Sequence, residues 1–225
     1  MTSSSPAPAP VWRDAYEPKL VGRTVHAFLE PLQRGYLKRN DEAWAVARLA
    51  QLRRGAGKAP EEVPELFGLT HTEELYDDNG RLMSSEHGPT AVHLAVTLYA
   101  LHQQSQREDR MHVPGRRLGR AVRALMPPGE IDEALRRRFV RVAGATSAHV
   151  LAYRLRELVL LLRREGKPLD YARLADQLDQ ALDPRRRLEV RQEWGREFHS
   201  GPPRKDFDDA NPSDDGSSAT DQRSE

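Results

Sequence analysis

The sequence contains no cysteine, which excludes disulfides, thiolate metal sites and thiol nucleophiles and makes a reducing cytoplasm the expected location. It has no run of the ~18 apolar residues that cross a membrane, and no basic start followed by an apolar segment, so we expect neither membrane insertion nor export. Aromatic residues make up only 6% of the chain, which leaves few rings for stacking on bases. Alternation of apolar and polar residues is scarce, which argues against strands.

Helical periodicity, interrupted by Gly and Pro, fills the middle of the chain. We predict an all-α fold, a single bundle of about seven to nine helices over residues 16–200. Residues 1–15 and 201–225 are polar and rich in Pro, Gly and Ser, and we expect both tails to be disordered because they cannot bury enough apolar surface. Helices are expected at about 17–39, 41–54, 89–106, 116–125, 130–142, 147–165, 170–182 and 184–199.

Local features refine this outline. The helix at 89–106 is apolar nearly all round, as expected at the centre of a bundle, whereas 56–85 is loop-rich, with room for one short helix. Helix ends are expected where residues that favour caps or turns stand. These residues are Asn40, Asp41, Ser147 and Asp170 at helix starts, and Gly55, Gly57 and Gly166 at helix ends.

The net charge of +1 hides an uneven distribution. The segment from Pro202 onward carries three basic residues and seven acids, a charge of −4, so the rest of the chain carries +5. Between Gln104 and Arg164 there are fourteen arginines against six acids, a local charge of +8. This excess favours a polyanionic partner. The alternative is a compositional preference for Arg and Ala from a GC-rich genome.

The arginines concentrate on two predicted helices. In the first, Arg116, Arg120 and Arg123 lie within roughly 60° of each other in helical projection, opposite the apolar Leu118, Val122 and Leu125. From residue 110 to 129 there is no acid, so ion pairs four residues apart are not available locally. The five basic residues of this stretch are Arg110, Arg116, Arg117, Arg120 and Arg123.

The second helix places Arg137, Arg138 and Arg141 away from a predicted buried face of Ile131, Leu135, Phe139 and Val142. This basic face could be simply solvated or could bind a ligand. A third basic group, Arg53, Arg54 and Lys58, lies at a predicted helix end. It lacks the Gly and the Ser or Thr of a nucleotide-binding P-loop, so it indicates either a contact to backbone phosphate or a plain helix terminus.

Arginine binds phosphate through a planar fork that stays charged at every relevant pH. Such contacts position nucleic acid without reading its sequence. No helix groups Asn, Gln and Arg at its start as a base-reading helix does, so we expect sequence-independent, salt-sensitive binding.

The sequence does not indicate catalytic activity. His87, His93 and His102 are spaced by six and nine residues, which does not place them on one helical face as metal ligands require, so we predict no metal and no cofactor. The acids Glu73, Glu74, Asp77 and Asp78 could be imagined as a Mg²⁺ nuclease site, but a solvated loop is the better interpretation. We therefore predict a protein that is not an enzyme and has no small-molecule ligand.

Several segments, in order, resemble the CasB proteins, the small subunit of the type I-E CRISPR surveillance complex called Cascade. They are 49–58 (LAQLRRGAGK), 98–105 (LYALHQQS), 111–112 (MH), 115–122 (GRRLGRAV), 137–141 (RRFVR), 160–166 (LLLRREG), 169–175 (LDYARLA) and 192–198 (QEWGREF).

The resemblance implies an all-helical subunit present in two copies, beside the guide RNA and its target DNA and among the other Cascade subunits. It implies stabilisation of the RNA–DNA hybrid and of the displaced strand (the R-loop) in antiviral defence, without enzymatic activity. It assigns nucleic-acid contacts to Arg53, Arg54 and Lys58, and to the five basic residues of 110–123. The alternative is a protein-interaction adaptor whose basic helices contact acidic partner subunits.

Overall fold

The computed structural model describes residues 16–200, and the two predicted disordered tails lie outside this range. The described part forms eight α-helices and, in place of strands, only two isolated β-bridges, so the prediction of an all-α bundle is confirmed. The helices are α1 (Leu20–Tyr36), α2 (Ala43–Leu52), α3 (Gly88–Gln103), α4 (Leu118–Arg123), α5 (Glu133–Ala143), α6 (Ala148–Arg164), α7 (Tyr171–Leu182) and α8 (Arg187–His199).

Helix α3 is the centre of the bundle, as its apolar sequence predicts. Every residue from Ala91 to Gln103 is buried, and α1, α2, α6 and α7 pack around it. Helix α8 lies against α7, and it carries α4 and α5 on other sides. Because a helix that is apolar all round must be enclosed on all sides, α3 fixes the positions of its four neighbours.

The start of α6 and the start of α7 match the predicted caps. The Ser147 hydroxyl accepts a hydrogen bond from the Val150 N–H (3.4 Å), and the Asp170 carboxylate accepts one from the Arg173 N–H (3.0 Å). Gly166 ends α6 with a left-handed backbone angle, φ +57°. These local signals were readable from sequence because each involves residues at most three apart.

Other predicted boundaries are wrong. Glu42 occupies the N-cap position of α2, whereas Asp41 has a positive φ of 45° and forms an ion pair with Arg107. The N–H of Asp41 donates to the Leu37 carbonyl (2.9 Å), and its carboxylate pairs with Arg107 instead of capping α2. Ile131 is exposed, because it precedes the cap of α5 and so is not part of that helix.

The predicted loop-rich section is organised by short 3₁₀ turns. Leu66 and Leu75 anchor two of them in the apolar interior. The section was expected to contain one short helix, but it contains three turns. A further turn before it continues directly from α2. The four turns are Arg53–Gly55, Pro60–Glu62, Pro64–Leu66 and Thr72–Leu75.

A buried acid on α7 holds the start of α1. The Asp176 carboxylate accepts hydrogen bonds from the backbone N–H groups of Lys19 and Gly22 (both 2.8 Å) and from the Tyr16 hydroxyl. Burial raises the pKa of Asp176, and these hydrogen bonds oppose the rise. The first turn of α1 thus receives its missing acceptor from a distant helix.

Two of the histidines considered as metal ligands lie in the core on α3. Burial lowers the pKa of His93 to about 4 and that of His102 to about 3, so both are neutral at pH 7. His102 Nδ1 lies 2.9 Å from the Tyr171 hydroxyl. His112 Nδ1 accepts a hydrogen bond from the Tyr171 N–H (3.1 Å), so its Nε2 carries the proton and donates to His26 Nδ1 at 2.9 Å.

Candidate nucleic-acid interface

Helix α5 separates apolar from basic side chains. The Asp132 carboxylate caps it by accepting hydrogen bonds from the backbone N–H groups of Ala134 (2.8 Å) and Leu135 (3.0 Å). The predicted Leu135, Phe139 and Val142 are buried, so the helix has one packed side and one solvent side. Its exposed basic residues are Arg136, Arg137, Arg138 and Arg141.

Helix α4 is shorter than predicted, and this changes the position of Arg116. The helix begins at Leu118, and Arg117 is its N-cap residue with an extended backbone. Arg116 lies in the preceding turn, where its N–H donates to Val113 and its carbonyl accepts from the Asp170 N–H (2.7 Å). The prediction that Arg116 shares a helical face with Arg120 and Arg123 is therefore wrong.

The other predicted cations of 110–123 differ in availability. Arg110 is ion-paired with Glu30 of α1 at 3.0 Å, and Arg123 donates to the carbonyl of Pro127 (3.1 Å). Arg120 is half-buried, and its Nε lies in the interior without a hydrogen-bond partner. Arg117 is half-buried and lowers the pKa of the buried Glu197, whose pKa is raised overall by burial. Only Arg116 of the five is exposed without a partner in residues 16–200.

The basic group at the end of α2 lies beside α6. Arg54 and Lys58 are exposed and Arg53 is half-buried. Gly57 has a positive φ of 87°, and a Cβ there would collide with the side chain of Arg156. Arg156 therefore extends across Gly57 and adds a fourth cation to this group.

Helix α6 also contacts the end of α5. The Nη1 group of Arg154 donates to the carbonyl of Arg141, which lies in the last turn of α5. Neither Arg154 nor Arg156 was predicted as a site residue. Their spacing could have indicated them. Two residues apart on an amphipathic helix, they lie on opposite flanks of its solvent face.

The structure therefore brings part of the predicted site together and leaves part of it apart. We define the η-side group as Arg53, Arg54, Lys58 and Arg156, and the α5-side group as Arg137, Arg141 and Arg154. Each group has one member on α6: Arg156 contacts Gly57 in the first group, and Arg154 contacts Arg141 in the second. Arg110 and Arg116 belong to a separate loop that packs on α1 and on the start of α7.

The acidic loop has a structural explanation. The Asp77 carboxylate accepts hydrogen bonds from the N–H groups of Asn79 (3.0 Å) and Arg81 (2.8 Å), which closes the turn. Glu73 lies 3.2 Å from His71. In residues 16–200 no three His, Asp or Glu side chains come together in a group that could hold a metal ion. Over the same range, no helix combines the length and apolar character needed to cross a membrane.

Comparison with known proteins gives a consistent result. The family model of CRISPR-associated protein Cse2 matches residues 48–199. The crystal structure of CasB from Thermobifida fusca is similar with a TM-score of 0.69 and 47% sequence identity, covering 81% of this chain and 99% of that chain. A chain of a CRISPR RNA-guided surveillance complex is similar with a TM-score of 0.57 and 20% identity, covering 80% and 96%, which concerns the fold alone. No curated protein matched the sequence.

The family model spans well over half of the chain, and the match to CasB from Thermobifida fusca extends over nearly all of that protein. The predicted resemblance to CasB proteins is thereby confirmed. The chain belongs to the Cse2 (CasB) family of CRISPR-associated proteins.

Proposed function

We propose that this chain is the small, non-catalytic subunit of a type I-E CRISPR Cascade complex and that it holds RNA and DNA by their backbone phosphates without sequence specificity. In this role it stabilises the guide RNA–target hybrid and the displaced strand. Its partners are the guide RNA, the target DNA, the other Cascade subunits and a second copy of itself. Family membership supports the assembly, and the basic groups beside α6 support the contact with nucleic acid.

The observation that carries the proposal is a set of exposed cations that form no salt bridge within residues 16–200. Within residues 16–200, the side chains of Arg54, Lys58, Arg137 and Arg141 are exposed and make no hydrogen bond or ion pair. Each guanidinium or ammonium group keeps all its donors, so a phosphate can bind without first displacing a carboxylate. By contrast, Arg110 already donates to the Glu30 carboxylate at 3.0 Å, and this carboxylate offsets part of its attraction for a phosphate.

A surface of this kind suits a protein that works with a guide RNA. In RNA-guided systems base pairing selects the sequence, and the protein holds the backbone. Cations on helix faces suit that task because phosphate contacts fix position and carry no sequence information. Binding should then weaken steeply as salt rises, because each phosphate contact releases counterions.

Two charge-reversal variants test the proposal. Arg54→Glu with Lys58→Glu removes part of the η-side group, and Arg137→Glu with Arg141→Glu removes part of the α5-side group. We expect each pair to weaken binding to an RNA–DNA hybrid by about tenfold or more and to lower the salt slope by about 1 per lost phosphate contact. Fluorescence anisotropy over a range of salt concentrations measures both quantities.

The matched control is Arg34→Glu with Arg81→Glu, which changes the net charge equally at exposed positions on α1 and in the 77–82 turn. Circular dichroism checks that helicity is unchanged. If the control weakens binding as much as the test pairs, general charge rather than this surface is responsible. If neither test pair weakens binding at modest salt, the proposed surface does not hold nucleic acid.

The adaptor remains the second candidate function, and one surface favours protein contact. The outer face of α2 is exposed, and the five residues that form it carry no charge. Exposed apolar surface of this kind is typical of protein interfaces. A photo-crosslinker at Arg137 in the assembled complex separates the two functions, because crosslinks to protein instead of RNA or DNA would favour the adaptor. The residues of the α2 face are Ala43, Trp44, Val46, Ala47 and Ala50.

A further inference from the structure

The solvent face of α6 joins the two basic groups and carries an exposed aromatic ring. Tyr153 is 57% exposed. At about 100° per residue, Arg156 lies roughly 60° to one side of Tyr153 around the helix and Arg154 roughly 100° to the other side. The ring therefore lies between the cation that extends over Gly57 and the cation that reaches the end of α5.

We infer that the outer face of α6 binds single-stranded nucleic acid, with the Tyr153 ring stacked on an unpaired base between phosphates held by the η-side and α5-side groups. This inference rests on the proposed function and adds to it the side chain that contacts an unpaired base. Surfaces that bind single strands combine a basic path for the backbone with aromatic rings for the bases, because every base offers a π-face. A duplex keeps its bases stacked inside, so it cannot use the ring.

The two flanking arginines are positioned by the fold. The stem of Arg156 lies against Gly57, where a glycine is required both for the positive φ and for the space. Arg154 uses one Nη1 hydrogen on the Arg141 carbonyl and makes no other hydrogen bond within the described chain. Its remaining N–H groups can donate to phosphate, so the same side chain joins α5 to α6 and binds the strand.

The charge on this face also sets the path of the strand. Glu157 is half-buried on the same face, about 40° from Tyr153 and roughly one turn further along the helix. Its carboxylate repels phosphate there. A second carboxylate, that of Glu62, lies 3.0 Å from His149 Nδ1 in the first turn of α6. The strand therefore crosses α6 at Tyr153, between these two carboxylates, from Lys58 on one side to Arg141 on the other. The α6 diameter of about 10 Å limits the contact to a few nucleotides.

Binding of the full chain to two labelled probes tests the inference. The probes are a mixed-sequence DNA single strand and a blunt-ended DNA duplex formed from two strands. We expect Tyr153→Ala to weaken binding to the single strand by about 5- to 10-fold and to leave duplex binding unchanged. Tyr153→Phe should retain wild-type affinity because the ring is kept. The salt slope should not change in either variant, because the ring neutralises no phosphate.

A strand with abasic sites gives the decisive comparison. Without bases to stack, Tyr153→Ala should cost nothing relative to wild type, so the two losses are not additive. The matched control is Tyr76→Ala, which removes an exposed tyrosine on the 76–82 turn and should leave both probes unaffected.

Each outcome separates this inference from the proposed function. If the charge reversals at Arg54, Lys58, Arg137 and Arg141 weaken binding but Tyr153→Ala does not, the stacking inference is overturned and the proposed function stands. Equal losses on the single strand, the duplex and the abasic strand also overturn it, as does a loss confined to assembly with protein subunits. If neither set of variants matters, the proposed function itself fails.

Discussion

Gly119 offers the sharpest test of how α4 is held in place. A Cβ at this position would lie 2.6 Å from the Cβ of Glu197, 2.6 Å from the carbonyl oxygen of Trp194 and 2.7 Å from the backbone nitrogen of Phe198. Ordinary contacts of a Cβ begin near 3.4 Å. Two of these neighbours are backbone atoms of α8, so the substitution Gly119→Ala must move α4 away from α8 by about 0.8 Å.

The expected cost follows from three effects. Overpacking of a tight contact costs about 1–3 kcal/mol. The separation also lengthens the hydrogen bond from the Gly119 N–H to the buried Glu197 carboxylate, now 3.1 Å, which adds about 1 kcal/mol. Alanine has a higher helix propensity than glycine, and this stabilises the folded state by about 1 kcal/mol. We expect the free energy of unfolding to fall by about 1–3 kcal/mol.

Gly195→Ala is the matched control because it adds the same methyl group to the same pair of helices. Nothing lies within 4 Å of a Cβ at Gly195, so the variant should be up to about 1 kcal/mol more stable than wild type. Urea unfolding followed by the fluorescence of the buried Trp194 and by circular dichroism measures both variants. A Gly119→Ala protein as stable as wild type would show that the close approach of α4 and α8 does not limit packing.

Two further predictions concern buried polar groups. Between pH 7 and pH 5 the free energy of unfolding of the wild type should fall by about 2 kcal/mol more than that of His93→Gln. The reason is that His93 takes up a proton below pH 6.5 in the unfolded chain but only near pH 4 in the folded protein. Urea unfolding at both pH values measures the difference, and parallel losses would contradict it. Asp176→Ala should lower the free energy of unfolding by about 2–4 kcal/mol, because the N–H groups of Lys19 and Gly22 lose their acceptor; a loss below about 1 kcal/mol in the same assay would contradict this.

Features of the fold that depend on neighbouring residues could be predicted from the sequence. The apolar sequence of α3 correctly predicted that this helix is buried, and Ser147 and Asp170 correctly predicted the starts of α6 and α7. Boundaries fixed by distant partners could not be predicted. The Asp41 carboxylate pairs with the distant Arg107 instead of capping α2. The Arg116 carbonyl accepts a hydrogen bond from the Asp170 N–H at the start of α7, and the helix that was projected from Arg116 starts two residues later, at Leu118.

The candidate site could be predicted only by composition. Arginine-rich helices indicated where cations concentrate, and the exposure of Arg137 and Arg141 agrees with that pattern. Pattern alone could not show that Arg154 and Arg156 reach two different neighbours of α6. Contacts between helices far apart in sequence decide this, because the period of a helix gives the direction of a side chain but not what lies there.

The arginines of this chain consequently fall into two groups, those that bind backbone carbonyls and those that are unpaired. Composition alone cannot distinguish the two groups. Several donate to backbone carbonyls at helix ends: Arg163 to Gln104 (2.9 Å), and Arg191 to Ala143 (2.6 Å). These residues keep their charge and so contribute to the long-range field that attracts a polyanion. Their bonded donors, however, already have acceptors.

Removal of a carbonyl-bound arginine should therefore lower stability, since the helix end loses a donor. Removal of an unpaired one such as Arg137 should lower affinity at constant stability. The number of phosphate contacts read from a salt slope should accordingly be smaller than the fourteen arginines between residues 104 and 164 suggest. We therefore expect the contacts to nucleic acid to come from donors that the fold leaves unused, such as those of Arg54, Lys58, Arg137 and Arg141.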